Sequence, residues 1–360
     1  MSNLLTIDGS YGEGGGQILR TALSLSCLLR QPIIIENIRA GRKNPGLQPQ
    51  HLTSLKAAEK ISRAKVKGDS LGSESITFEP ESLQGGLYHF DVAEKKGSAG
   101  SVGLVLQTFL PVLAFAKEKS FITVKGGTHT SWSPPFHYIE QVFLPNLSKM
   151  GVHVHATLER WGFYPLGGGE VTFEITPLQK LSGREWKREH QEMKKVSGVS
   201  AVANLPLSIA ERQRDRALER LNNTGFEGDI EIVEAVAIGK GSFLFLRSEY
   251  ETLRCGFSSL GERGKLAEKV ADGACQDLLH HHHSDTALDP NMADQILIYA
   301  SLAEGETHFT TAQITNHFMT NLWVLKRFLP LKMELKGRIG EKGKISLEGV
   351  GYGGGSDMRY

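Results

Sequence analysis

Leu4–Leu29 reads LLTIDGSYGEGGGQILRTALSLSCLL. Leu4–Asp8 is a short apolar strand. Gly9–Gly16 is a glycine-rich loop. Gln17–Leu29 carries Ile18, Leu19, Ala22, Leu23, Leu25 and Cys27 at the three- and four-residue steps of a helix with one buried face. A strand that runs through a glycine loop into a helix exposes several backbone N–H groups at the helix head, where an anion can sit. No Gly-Lys-Ser/Thr follows, so this is not a Walker A loop. Glycine count alone fits a structural turn as well as a phosphate cradle. Glu13 and Arg20 flank the glycines, and a carboxylate beside phosphates makes chemical sense as a divalent-cation ligand. The plain alternative for Glu13 is an acid that complements the helix dipole.

The same pattern recurs further along. Loop Lys95–Ser101 leads into helix Val102–Lys117 and strand Phe121–Lys125. Loop Gly126–Pro135 leads into helix Phe136–Met150 and strand Val152–Thr157. Thr307–Thr315 leads into helix His317–Phe328 and strand Leu331–Lys336. Such units predict an α+β fold with helices packed on one face of mixed sheets. The middle differs. From about residue 181 it opens with the charged run Arg184–His190. It continues with strand Val196–Asn204, charged helix Ile209–Leu221, strands Asp229–Ala237 and Ser242–Ser248, and helix Lys265–Leu279. It reads as an inserted α/β domain over 184–285, with 1–183 and 286–360 forming the large domain. Insertions are tolerated at surface loops whose ends lie close together.

Composition sets limits. The chain has 360 residues, 40% hydrophobic and 22% charged, with 41 Lys plus Arg against 40 Asp plus Glu and a formal charge of +1. That excludes a disordered chain, and since a protein that coats long nucleic acid is usually more basic, any RNA contact should be local to a terminus. Cys27, Cys255 and Cys275 are scattered, odd in number and without CxxC spacing, which fits a reducing compartment. The N-terminus has no signal-peptide pattern, and no apolar run approaches the ~18 residues of a membrane span. We expect a cytoplasmic protein with no membrane partner. The oligomeric state stays open.

Three more stretches bear on chemistry. Ile38–His51 places Arg39, Arg42 and Lys43 on a segment broken by Gly and Pro. Arginine forks match phosphate oxygens, although a solvated charged loop would read the same way. Trp161–Val171 joins aromatics, a proline and three glycines into a rigid, architectural turn. His317 opens a helix just after Thr315 and Asn316, residues suited to capping. The positive helix end favours a neutral imidazole with a nucleophilic lone pair; a surface cap histidine is the plain alternative. His280–His283 cannot all face one ion and read as a solvated linker. The alternating charges of Ala210–Arg216 read as an exposed salt-bridged face, with a secondary RNA contact left open.

Taken together, these stretches resemble the RNA 3′-terminal phosphate cyclases. The resemblance rests on Asp8–Ser26, Ile38–Leu52, Ser98–Pro111, Gly162–Val171 and Val350–Gly355 in family order. It implies a large domain of repeated βαβαββ units, like the C-terminal domain of translation initiation factor 3, with a smaller α/β domain inserted before the last unit. It implies ATP and a divalent metal, Mg²⁺ or Mn²⁺, and an RNA with a 3′-terminal phosphate as partner. His317 matches the histidine that takes AMP, and Glu13 the residue at the metal. Arg20, Arg39, Arg42 and Gln50 match positions that hold phosphates or the RNA end. Gln107 and the Pro134–Pro135 pair match nucleotide-pocket positions, and Asp294 an acid near the nucleophile. The product implied is a 2′,3′-cyclic phosphate, formed through a covalent histidine–AMP and an RNA(3′)pp(5′)A end. Two positions depart from the family: Trp161 stands where Arg or His is usual, and Asn291 where an aromatic can stack on adenine. Catalytically inactive relatives that act in ribosome assembly lack the nucleophilic histidine. An enolpyruvyl transferase would share the architecture by fold analogy only.

Overall fold

The computed structural model describes residues 4–93, 98–188, 192–193 and 195–353. Lys95–Gly97 of the second glycine loop, Glu189 and His190 of the charged run, and the end of the terminal glycine motif lie outside them.

The chain begins β1 (Leu5–Asp8), α1 (Gly16–Leu29), β2 (Ile33–Glu36), α2 (Pro49–Ser62), β3 (Lys65–Lys67) and β4 (Ile76–Glu79). The sheet order is β1-β2-β4-β3, with β1 parallel to β2 and the other pairings antiparallel. A parallel neighbour requires a crossover, and α1 supplies it. Ile7, Ile33, Ile35, Ile76 and Phe78 alternate along these strands and are fully buried or nearly so, so one face of the sheet is core.

Next come β5 (Leu87–Asp91), α3 (Val102–Ala114), β6 (Ser120–Gly126), α4 (Phe136–Tyr138), a π-helical segment (Ile139–Phe143), α5 (Leu144–Ser148), β7 (His153–Arg160) and β8 (Gly169–Thr176). Their order, β5-β6-β8-β7, has the same pattern of pairings. The expected helix Phe136–Met150 therefore widens in its middle.

The middle segment holds β9 (Lys195–Ala203), α6 (Ser208–Asn222), β10 (Gly228–Glu234), β11 (Gly241–Glu249), β12 (Arg254–Leu260) and α7 (Ala267–Ser284), with sheet order β10-β9-β11-β12. The last segment holds α8 (Pro290–Leu302), β13 (Glu306–Thr311), α9 (Asn316–Phe328), β14 (Lys332–Lys336) and β15 (Gly343–Glu348), with order β13-β15-β14. Leu288 bridges Thr311 in parallel, where a fourth strand would lie.

One expectation is corrected. His280–His283 are no linker, because α7 runs through them to Ser284. His281 continues the apolar face of Val270, Ala274 and Leu278 and is buried, with its ring 5.5 Å from that of Phe257. The charged face of α6 is as expected: Arg212 pairs with Glu268, and Arg216 with Glu219 and Asp272. The three cysteines are buried and unpaired. Among the described residues, no helix is long and apolar enough to cross a membrane.

The helices decide where a site can form. α1 is buried from Ile18 to Leu28 and packs against α2, α3 and α9. The N-terminal ends of these helices bring polar residues from distant parts of the chain together.

Candidate active site

The glycine loop admits close neighbours. A Cβ on Gly16 would lie 2.3 Å from His51 Nε2 and 2.9 Å from Arg20 Nη1. Gly12 has φ +58, and its Cβ would lie 2.4 Å from the Thr320 hydroxyl on α9. Only glycine lets helix α9 and these side chains approach the loop this closely.

His317 stands in the first turn of α9. Thr315 caps that helix by accepting from the Phe318 N–H at 2.9 Å, and Asn316 is already inside the helix. His317 Nε2 faces Glu13 Oε2 at 3.0 Å. Burial holds the imidazole below its usual proton affinity; Glu13 opposes this, while Arg20 and Arg42 reinforce it. A neutral ring follows at neutral pH.

Arg42 reaches the same carboxylate, 3.8 Å from Glu13, and its guanidinium passes close to Gly15. Arg20 is 5% exposed. Its Nε donates to Gln107 at 3.1 Å and its Nη2 to Gln17 at 2.8 Å. Gln107 in turn donates to Gln295 at 3.2 Å. Among the described residues no carboxylate pairs with Arg20, and burial lowers its pKa to about 10. A buried cation held by neutral amides is costly unless an anion arrives to complete it.

The other expected residues make the following contacts. Arg39, at φ +56, donates to the Gly46 carbonyl at 3.0 Å and so braces its own loop. Gln50 accepts from the Ser101 N–H at 3.1 Å, joining α2 to the head of α3. Pro134 sits on the first turn of α3, where a Cβ on Gly103 would lie 2.8 Å from its carbonyl. Asp294 accepts from the Thr315 hydroxyl at 3.2 Å. Its carboxyl therefore meets the cap of α9, and the group that faces His317 is Glu13. Burial pushes the Asp294 pKa well up, Thr315 lowers it and Glu13 raises it.

Several neighbours are not evident in the sequence. His51 is buried beside Gly16, with Nδ1 accepting from the Gln48 N–H at 3.2 Å. Burial, Arg20 and Arg39 all keep it neutral. Asn321 accepts from Thr21 at 2.8 Å and donates to the Asp294 carbonyl at 2.9 Å, which locks α1, α8 and α9 together. Tyr11 stacks on Trp323, with ring centroids 4.1 Å apart, and so closes the loop against α9. A polar residue on an otherwise apolar helix face was the signal available for Asn321.

Trp161–Val171 is architectural, as expected. A Cβ on Gly162 would lie 2.4 Å from the Gly126 carbonyl and 2.6 Å from the Gly169 nitrogen. Trp161 stacks on buried His129 at 4.1 Å.

This arrangement offers a neutral histidine, a carboxylate, two arginines and a glycine-lined helix head. It suits the handling of phosphate esters. Comparison with known proteins agrees. The family model described as "RNA 3'-terminal phosphate cyclase" matches residues 11–335. The chain is 43% identical over 328 residues to the RNA 3′-terminal phosphate cyclase of Nostoc punctiforme, covering 90% of this chain and 94% of that one. Its counterpart from Pyrobaculum aerophilum is 42% identical over 348 residues, covering 96% and 98%. The enolpyruvyl transferase NikO of Streptomyces tendae superposes with a TM-score of 0.40 at 11% identity, over 98% of this chain and 49% of that one. Motifs at both ends of the chain, the match across nearly all of it and the whole-length relatives agree: this chain belongs to the RNA 3′-terminal phosphate cyclase family.

Proposed function

We propose that the chain uses ATP to convert the 3′-terminal phosphate of an RNA into a 2′,3′-cyclic phosphate, with His317 as the nucleophile. The observation that carries this reading is the neutral imidazole 3.0 Å from Glu13, at the glycine loop and between two arginines.

A ring nitrogen of His317 attacks the α-phosphorus of ATP, and the bond to pyrophosphate breaks as the P–N bond forms. The AMP group then moves to an oxygen of the RNA 3′-phosphate, giving RNA(3′)pp(5′)A and restoring the histidine. The neighbouring 2′-hydroxyl attacks the phosphorus bonded to the 3′ oxygen and loses its proton, and the bond to AMP breaks. A phosphate monoester is a poor electrophile until it carries such a leaving group. Arg20 and Arg42 would neutralise charge on the phosphates in transfer. Gln107 orients Arg20, and Thr315 with Asp294 fixes the head of α9. Arg39 and Gln50 hold the surrounding loops for the RNA end.

Glu13 is the residue that would hold Mg²⁺ or Mn²⁺. Among the described residues, no three of His, Cys, Asp or Glu gather into a cage. One carboxylate suits a cation that takes its remaining ligands from substrate phosphates and water. Such a cation neutralises phosphate charge when bound. Pro134 would form one wall for the adenine, while Asn291 supplies no stacking partner.

We also read β1–β4, β5–β8 and β13–β15 as copies of one βαβαββ unit, and 184–285 as a domain inserted before the last copy. The shared strand orders support this. A cytoplasmic location accords with the unpaired cysteines.

Incubation with α-³²P-ATP and Mg²⁺ or Mn²⁺, followed by a denaturing gel, tests the reading. An acid-labile, alkali-stable protein label that an RNA 3′-phosphate discharges is the expected result. No label with either metal would overturn it.

A further inference from the structure

Trp132 is 99% exposed. An indole wholly in water forgoes the burial that usually accounts for tryptophan. It does not hang on a slack loop. Thr130 and Ser133 pair through their hydroxyls at 2.9 Å, and the Ser133 hydroxyl donates to the Thr130 carbonyl at 3.0 Å. Pro134 packs on Gly103, and Trp132 itself is held at φ +62.

Trp132 lines a cleft of about 280 Å³, together with Phe243, Ser258, Ser259 and Lys265 of the middle segment. Lys265 Nζ donates to the Ser259 hydroxyl at 3.1 Å and the Leu260 carbonyl at 3.0 Å. An ammonium has three donors, so one is left for a ligand. Glu262 also lines the cleft and limits how many phosphates it can take. The cleft lies near the site. Pro134 touches Gly103, and Gln107, about 6 Å further along α3 by helix rise, holds Arg20.

We propose that this cleft is a subsite for single-stranded RNA. The indole of Trp132 stacks one base a few nucleotides before the 3′ end, and Lys265 meets a neighbouring phosphate. An exposed aromatic face with a nearby cation is how proteins hold single strands without reading sequence. A fully exposed ring is open to a base from solvent, which suits a strand passing over it better than an enclosed ATP base. The proposal rests on RNA being the substrate, and it gives the middle segment a role in substrate capture.

The test uses the full chain and a fluorescent oligoribonucleotide of about eight nucleotides ending in a 3′-phosphate. Binding is read by anisotropy, independently of turnover. Trp132→Ala should raise the oligonucleotide Kd about tenfold. Trp132→Phe should restore most of it. Lys265→Gln should lower the salt slope by about one. A mononucleoside 3′-phosphate, too short to reach the cleft, should compete equally well in all variants. An unchanged oligonucleotide Kd in Trp132→Ala overturns the proposal. So does loss of self-labelling by ATP alone in that variant, because the cleft would then hold the base of ATP. A wild-type chain that never labels with ATP counts against the adenylation reading; the anisotropy arm still decides this one.

Discussion

His317 Nε2 and Glu13 Oε2 stand 3.0 Å apart although they come from opposite ends of the chain. Glu13 lies in the loop between β1 and α1, and His317 in the first turn of α9. The contact exists because α1 and α9 pack along each other and because Gly12 leaves room for Thr320. Glu13 thus stands where it can meet an imidazole, an arginine or a cation.

His317→Ala should abolish self-labelling by ATP while the far-UV spectrum and melting temperature stay near wild type. The side chain is half exposed, and the cap of α9 depends on Thr315. Glu13→Gln should slow labelling by about 100-fold, the lower range for a residue acting at the reacting group. Label retained in His317→Ala would end the assignment.

The loop arginines should separate by role. Arg42 meets Glu13, Arg39 braces the loop through the Gly46 carbonyl, and Lys43 is exposed. Alanine at 42 or 39 should each lower kcat/KM for RNA by about 100-fold, and alanine at 43 by no more than about threefold. Equal effects would indicate a diffuse charged loop.

His317 should titrate below its ordinary 6.5 in the ligand-free protein, since burial lowers its proton affinity more than Glu13 raises it. NMR of the ring C–H protons reads this directly. Arg42→Ala removes a cation and should move the midpoint up. Glu13→Gln removes an anion and should move it down. Self-labelling should be flat above pH 6.5 and fall only below it. A midpoint above 6.5 would contradict the neutral nucleophile.

Asp289 ties three elements together. It accepts from Tyr138 Oη at 2.8 Å, from the Met292 N–H at 2.9 Å as cap of α8, and from the Gly256 N–H at 3.4 Å. Asp289→Ala leaves a buried phenol unpaired and the helix uncapped, a loss of about 3 kcal/mol in urea unfolding. Burial pushes its pKa up to about 6 from 3.8. The folded state therefore favours the protonated carboxyl, so this contribution is present at low pH and is lost as pH rises through about 6. Asp289→Asn should show a smaller loss over that window; Asp294, shifted the same way, would supply what remains.

Gly162→Ala should destabilise by about 3 kcal/mol, because the added carbon meets the backbone of Gly126 and Gly169 and no side chain can yield. Thermal melts would show it. A melt within a degree or two of wild type would mean that the crossing can open.

The α+β class and the strand–loop–helix order around Asp8–Leu29 are legible in the chain alone. So are the place of His317 behind a capping threonine and the α6 charges as an exposed face. These depend on local physics: helical periodicity, glycine at turns, caps, and i to i+3 or i+4 spacing. Other features depended on elements that meet only after folding. Four consecutive histidines look solvated until α7 lays His281 against Phe257. Asp294 matches an acid near the nucleophile in the sequence, and only the packing of α8 against α9 presents its carboxyl to the Thr315 hydroxyl. Arg20 is marked by its place beside the glycine loop, but its burial and its neutral partner Gln107 follow only from the packing of α1 against α3. The contact of Glu13 with His317, and the meeting of Trp132 and Lys265 at one cleft, arise only when distant elements pack. Such contacts are set by which helix faces and sheet edges pack together, and no local stretch encodes the geometry of its distant neighbour.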